Sequence, residues 1–330
     1  MSQLLNKPMN ESGGESEGCA RWFVRDGRLR SGWRVASYAT VSWSLFFVGL
    51  VFISILFVIL EFVLWALLGT HFGQPPNFTS GFMNQPLPKL VGDVLVECME
   101  LAVVLIVTWL WRHFLDKKTI RSLGLTVSGK WWLELTIGVF VTGAMWTAFL
   151  GILLLTSTAS VSAIQINSET LGVNLTGGLG RNILVGLNEE INYRGYILQN
   201  LIEGVGVAPA LVISSVYFGL IHLLNPNPNA LALTSLALGG LLMGMGYWAT
   251  QSLWLPIGMH IGWNWFEGSI YGFPVSGFPR PGLLELCMTG PDWLTGGNFG
   301  PEASIMIIAL QLVLIAFIFL WTRAVSRSRL

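Results

Sequence analysis

The sequence predicts an all-α fold, a polytopic membrane bundle of about eight transmembrane helices. Three observations carry this. Only 11% of the 330 residues are charged while 53% are hydrophobic, against about 25% charged residues in soluble domains. The mean hydropathy is +0.63, so lipid is the solvent that suits the surface. Finally, apolar stretches of roughly 20 residues, the length that crosses a bilayer as helix, recur along the whole chain.

The spans fall near Val41–Leu68, Val91–Leu115, Trp131–Leu155, Leu179–Ile202, Val207–Leu224, Ala230–Ala249, Leu253–Tyr271 and Ser304–Trp321. The first and last are plain apolar runs, whereas the fourth and seventh carry ionisable groups. Residues 1–34 read as a polar cytoplasmic N-terminal arm, and 35–330 as one membrane domain with its chemical core at about 178–272. The arm has no short apolar region ahead of a small-residue cleavage site, so it does not resemble a signal peptide. Lys and Arg gather in the arm, in Arg112–Lys130 and at the C-terminus (Arg323, Arg327, Arg329). Eight alternating spans put these segments on one side, so both termini are expected in the cytoplasm of a multi-pass cell-membrane protein. Of the two long outer connections, Gly69–Leu90 contains Pro75-Pro76, and Gly272–Ala303 carries so many Pro and Gly breakers that regular helix is excluded.

The zero net charge gives no basic field for nucleic acid. Cys19, Cys98 and Cys287 are too scattered for a disulfide framework or a zinc ribbon.

Ionisable residues inside spans are functional candidates by default. The fourth span contains Glu189-Glu190-Ile191-Asn192-Tyr193-Arg194. Arg194 stands one turn from Glu190 on the same face and neutralises it. Glu189 points about 100° away and keeps no local cation, which frees it to hold a water or a proton. A packing ion pair accounts for Glu190 and Arg194 but leaves Glu189 unexplained. His222 closes the fifth span in Phe218-Gly219-Leu220-Ile221-His222, a pattern that alone fits a structural histidine. His260 and Asn264 lie four apart in the seventh span and face one direction; an interhelical hydrogen bond worth about 1 kcal/mol is the plain alternative. Asp93, Glu97 and Glu100 line one face of the second span as a buried stripe, and Glu61 stands alone in the first. Gly240 and Gly244 form GxxxG, expected to pack the sixth span closely. Gly296-Gly297-Asn298-Phe299-Gly300-Pro301-Glu302 reads as a structured turn, with a lid as the alternative.

EExxxR, FxxxH and HxxxN, in this order on separate helices, resemble the CPBP (CaaX protease and bacteriocin-processing) family of intramembrane proteases, which includes the type II CaaX prenyl proteases. The resemblance covers Arg181–Phe266. It implies that Glu189 with His222 activates water, that His260 with Asn264 stabilises the oxyanion, and that Glu190 and Arg194 support the site. The substrate would be a peptide or protein segment in or near the lipid bilayer, including the prenylated CaaX type. Family members are described both as glutamate-type and as metalloproteases. The expected cofactor is none; Zn held by Glu189, His222 and His260 is the alternative. A non-catalytic immunity or scaffold protein on this fold and, less favoured, a proton-coupled transporter are the competing functions. Counting rise from the outer end of the fourth span places the pocket in the outer half, under the Gly272–Ala303 loop.

Overall fold

The computed structural model describes residues 23–25, 28–68, 85–127 and 129–327. Most of the N-terminal arm, the Pro75-Pro76 segment of the first outer connection, and the side chains of Glu61, Arg323 and Arg327, with all of Arg329, lie outside the described residues.

The chain is an all-α bundle. Its helices are α1 (Ser31–Leu68), α2 (Pro86–Leu110), α3 (Trp131–Leu155), α4 (Gly178–Glu189), α5 (Gln199–Val205), α6 (Val207–Ile221), α7 (Ala230–Thr250), α8 (Trp254–Asn264) and α9 (Ile305–Arg327). Helix occurs at each of the eight expected places, and α3 has the expected ends. Among the described residues, five helical stretches are long and apolar enough to cross a membrane: Ser31–Leu60, Trp131–Leu155, Val207–Leu224, Ala230–Thr250 and Ile305–Thr322. The second, fourth and seventh places fall short of that test because charged or short segments interrupt them. Large apolar side chains such as Val48, Phe52, Val313 and Phe317 stand exposed on α1 and α9, as a lipid-facing surface requires.

Two departures from the expected layout matter. First, α1 begins at Ser31, inside the segment read as polar arm, and its Arg34 is buried. Arg34 Nη1 lies 2.7 Å from Asp116 Oδ1, and Arg112 Nη1 lies 3.2 Å from Asp116 Oδ2. Two arginines read as free cytoplasmic charges are therefore neutralised by a carboxylate that the sequence did not single out. Glu203 completes this end by pairing with Lys118 and Arg34. Burial alone would raise the Glu203 carboxyl, but Lys118 and Arg34 together bring it below its usual range. Second, the outer connections are not all coil. Strand β3 (Ala159–Ile164) pairs antiparallel with β4 (Leu284–Met288), and nearer the N-terminus β1 (Val24–Arg25) makes a short antiparallel pair with β2 (Arg28–Leu29).

The bundle is fastened at a seam of small residues. Gly258 and Gly262 of α8 lie against the Leu135 and Val139 carbonyls of α3, while Gly138 of α3 lies against Leu255 and Met259 of α8. No side chain fits between these backbones. Thr142 Oγ1 donates to the Met259 carbonyl at 3.0 Å across the seam. The GxxxG of Gly240 and Gly244 does pack as expected, with Gly240 against the Ser215 backbone and Gly244 against Leu211, both on α6.

Candidate active site

Glu189 ends α4, and the chain then widens into a π-helical stretch, Glu190–Leu198. Such widened turns recur at functional sites. They were not legible from a sequence read at 3.6 residues per turn. The i,i+4 relation survives: Arg194 Nη1 donates to Glu190 Oε1 at 2.8 Å, and Nη2 donates to the Gly240 carbonyl at 3.2 Å. The Phe218 ring lies 4.4 Å from the guanidinium carbon, adding a cation–π contact. With both groups almost fully buried, each depends on the other.

Glu190 does more than was expected of it. His260 Nδ1 sits 2.7 Å from the same Oε1. Because the carboxylate accepts, Nδ1 carries hydrogen, and the ring's other nitrogen turns toward Glu189, whose Oε2 is 3.9 Å away. The α3–α8 seam fixes the height of His260, and Glu190 fixes its rotation. His222, at the end of α6, is oriented in a similar way. Its Nδ1 donates to the Phe218 carbonyl at 2.8 Å, which leaves Nε2 available. Phe218 stands beside both rings, with centroids 5.0 Å from His222 and 6.4 Å from His260.

Glu189, His222, His260 and Asn264 line one cavity of about 50 Å3. A water needs about 10–15 Å3 on such a measure, so the space suits water beside a reacting bond. Glu189 Oε2 accepts no hydrogen bond from the described residues there. From α2, Glu97 and Glu100 lie within electrostatic reach of Glu189. The acidic stripe does not line the cavity but adds negative charge near it, and two of its members are paired: Arg181 reaches Glu97 at 3.1 Å and Arg280 reaches Asp93 at 2.8 Å.

Sequence reasoning missed the roof. Ser276 and Glu302 also line the cavity. Glu302 accepts from Trp263 Nε1 at 2.8 Å and from the Ser276 amide at 2.7 Å. Positive φ at Gly296, Gly297 and Gly300 makes the tight turns that bring Glu302 inward, so the Gly-rich segment is an ordered turn lying over the site. Glu267, on the π turn after α8, is fully buried with neither oxygen hydrogen-bonded. Only its position three residues beyond Asn264 on an apolar helix signalled it.

Among the described residues, no three His, Cys, Asp or Glu side chains are grouped to hold a metal ion. Glu189, His222 and His260 share the cavity without converging as a ligand set.

Residues 172–266 match the family model described as Rce1-like, type II CAAX prenyl endopeptidase Rce1-like. No curated protein and no solved structure matches the chain. The matched stretch contains Glu189, Glu190, Arg194, His222, His260 and Asn264, the groups that meet at the cavity and behind it. Over these residues, less than a third of the chain, the protein is similar to the type II CAAX prenyl endopeptidases, and its long apolar helices fit a membrane protein.

Proposed function

We propose that the chain hydrolyses a peptide bond of a membrane-embedded or membrane-proximal substrate by a glutamate-activated water. The observation that carries the reading is the arrangement of Glu189, His222, His260 and Asn264 around one small cavity, with His260 locked to Glu190. Water held between Glu189 and His222 Nε2 gives up a proton as its oxygen attacks the carbonyl carbon. The carbonyl oxygen becomes the oxyanion, facing Asn264 and His260. For His260 Nε2 to donate while Nδ1 serves Glu190, the ring must be imidazolium, and two carboxylates flank it. The abstracted proton then passes to the leaving amine as the C–N bond breaks. Removing one oxyanion donor typically costs about 3 kcal/mol of transition-state stabilisation.

Glu190 and Arg194 orient these groups and touch no reacting atom. The reading requires no metal. This reading puts both termini in the cytoplasm, and the gathering of Arg34, Arg112 and Lys118 at one end of the bundle supports it. The helix between Asp93 and Asp116 rises about 35 Å, comparable with a hydrocarbon core of about 30 Å. The cavity would then lie in the opposite half, beneath the Gly272–Ala303 loop. Prenylated CaaX-type proteins are one substrate class within this reading. Comparing membrane peptides from cells carrying the wild type and Glu189→Gln tests it: fragments specific to the wild type are expected. Equal profiles would favour a scaffold role.

A further inference from the structure

At the end of the bundle that carries Asp116, a cleft of about 880 Å3 opens between the start of α1, Lys118 and the end of α5. Among the described residues that line it, Arg28, Arg30, Arg34 and Lys118 are cationic and Glu203 is the one carboxylate. Glu203 is already engaged twice, by Lys118 and by Arg34. Asp116, on the other side of Arg34, is shared with Arg112. Arg28 donates to the Asp116 backbone carbonyl at 3.4 Å. Neither Arg28 nor Arg30 meets a carboxylate among the described residues, and both are exposed. Positive charge is therefore in excess here, with guanidinium donors left over.

The backbone adds to the same field. Helix α1 begins at Ser31, and the Arg34 amide donates to the Arg30 carbonyl. The amides of Ser31 and Gly32 have no carbonyl one turn back in the helix, and the N-terminus of a long helix favours phosphate. A Cβ on Gly32 would meet nothing within 4 Å, whereas one on Gly204 would collide with Ser31 Oγ. The cleft is thus open over the helix start and closely packed where α5 walls it.

Its level suits lipid headgroups. Arg34 pairs with Asp116, and Trp111 Nε1 donates to Ser37 Oγ at 3.0 Å, so the start of α1 lies beside the end of α2. Here Phe23, Trp33, Trp109 and Phe114 are exposed, with the Phe23 and Trp33 rings 5.0 Å apart. Aromatic side chains collect where a bilayer meets water. A phosphate free in solution needs no such apolar collar.

We infer that this cleft holds the phosphodiester headgroup of an anionic glycerophospholipid from the leaflet on this side. Arg28 and Arg30, with Lys118 beside them, take the phosphate oxygens over the N-terminus of α1, and Phe23 and Trp33 lie against the glycerol and upper acyl chain. The site does not rest on the peptidase reading. A bound headgroup ties the β1–β2 pair and α1 to α5.

The test uses the full chain in an uncharged detergent, with dihexanoyl phosphatidylglycerol, dihexanoyl phosphatidylcholine and inorganic phosphate as probes. Binding is read from the shift of the thermal midpoint across a concentration series of each. Phosphatidylglycerol should bind roughly tenfold more tightly than either other probe, since each Lys or Arg near the surface adds to the attraction for an anionic lipid. Arg30→Gln should weaken it roughly fivefold, and Arg28→Gln with Arg30→Gln should bring it near phosphatidylcholine. Lys130→Gln, which removes an exposed cation outside the cleft, should leave it unchanged. Equal binding of the two lipids would overturn the inference, as would phosphate binding as tightly as phosphatidylglycerol. So would an Arg30→Gln variant that binds like the wild type. A Lys130→Gln variant weakened as much as Arg30→Gln would mean diffuse attraction in place of a site, and would overturn it too. The wild-type comparison of the three probes stands whatever the substitutions do to folding.

Discussion

His260 Nδ1 lies 2.7 Å from Glu190 Oε1, the oxygen that also accepts from Arg194 at 2.8 Å. One carboxylate oxygen thus joins a buried cation to the imidazole that faces the cavity. The paired glutamates divide the work by position. Glu190 is sealed and engaged twice through Oε1, its Oε2 accepting no hydrogen bond, while Glu189 remains a quarter exposed.

Glu190→Gln removes the charge that balances Arg194 and weakens the hold on His260. Breaking one side of a buried pair costs about 3–5 kcal/mol. Thermal unfolding in detergent should show a large loss of stability together with loss of cleavage. A variant as stable as the wild type would mean that Arg194 is compensated elsewhere.

Gly262→Ala tests the seam that sets the height of His260. Its new methyl would meet the Val139 carbonyl and Thr142, and forcing an extra methyl into such packing costs about 1–3 kcal/mol. Cleavage should fall with stability as α8 is pushed from α3. Gly151→Ala, where nothing lies within 4 Å, should change neither.

The helical runs were legible because they depend on local composition, and the pair Glu190–Arg194 because a spacing of four survives both α and π turns. The cavity residues Glu189, His222, His260 and Asn264 could be named from motifs on separate helices. What stayed hidden depends on distant chain. Arg34 and Arg112 look like ordinary cytoplasmic charges until Asp116, far from Arg34 in sequence, is seen between them. Glu302 sits in a loop whose Gly and Pro content announces turns but not the direction they take. The β3–β4 ribbon was hidden for the same reason, since its strands come from two separate connections. Gly258 and Gly262 flank His260 as a second GxxxG that could have been read as a packing seam.

Sidedness can be read with a native thiol. Cys287 is exposed on β4, on the loop that roofs the cavity. With Cys19 and Cys98 replaced by Ser, an impermeant maleimide should label Cys287 in intact cells. Ser122→Cys, placed in a chain that also carries Cys287→Ser, should be labelled only after lysis. The reverse pattern would turn the molecule over and open the cavity toward the cytoplasm.

Chelation separates the two chemistries. Cleavage should persist after exhaustive treatment of the purified chain with a zinc chelator. Loss of cleavage that added zinc restores would replace the glutamate mechanism by a metal-dependent one.

The most direct measurement of the central claim is the turnover of Glu189→Gln. The amide keeps the size of the side chain and its hydrogen-bonding capacity but cannot take the proton of water. Because Glu189 Oε2 accepts no hydrogen bond and His260 Nε2 stands 3.9 Å away, the substitution should leave the protein folded, at a cost of about 1 kcal/mol or less. Wild-type-specific membrane fragments should be absent from cells carrying this folded variant. Fragments at the wild-type level would contradict the account, because the group assigned to activate water would then be dispensable.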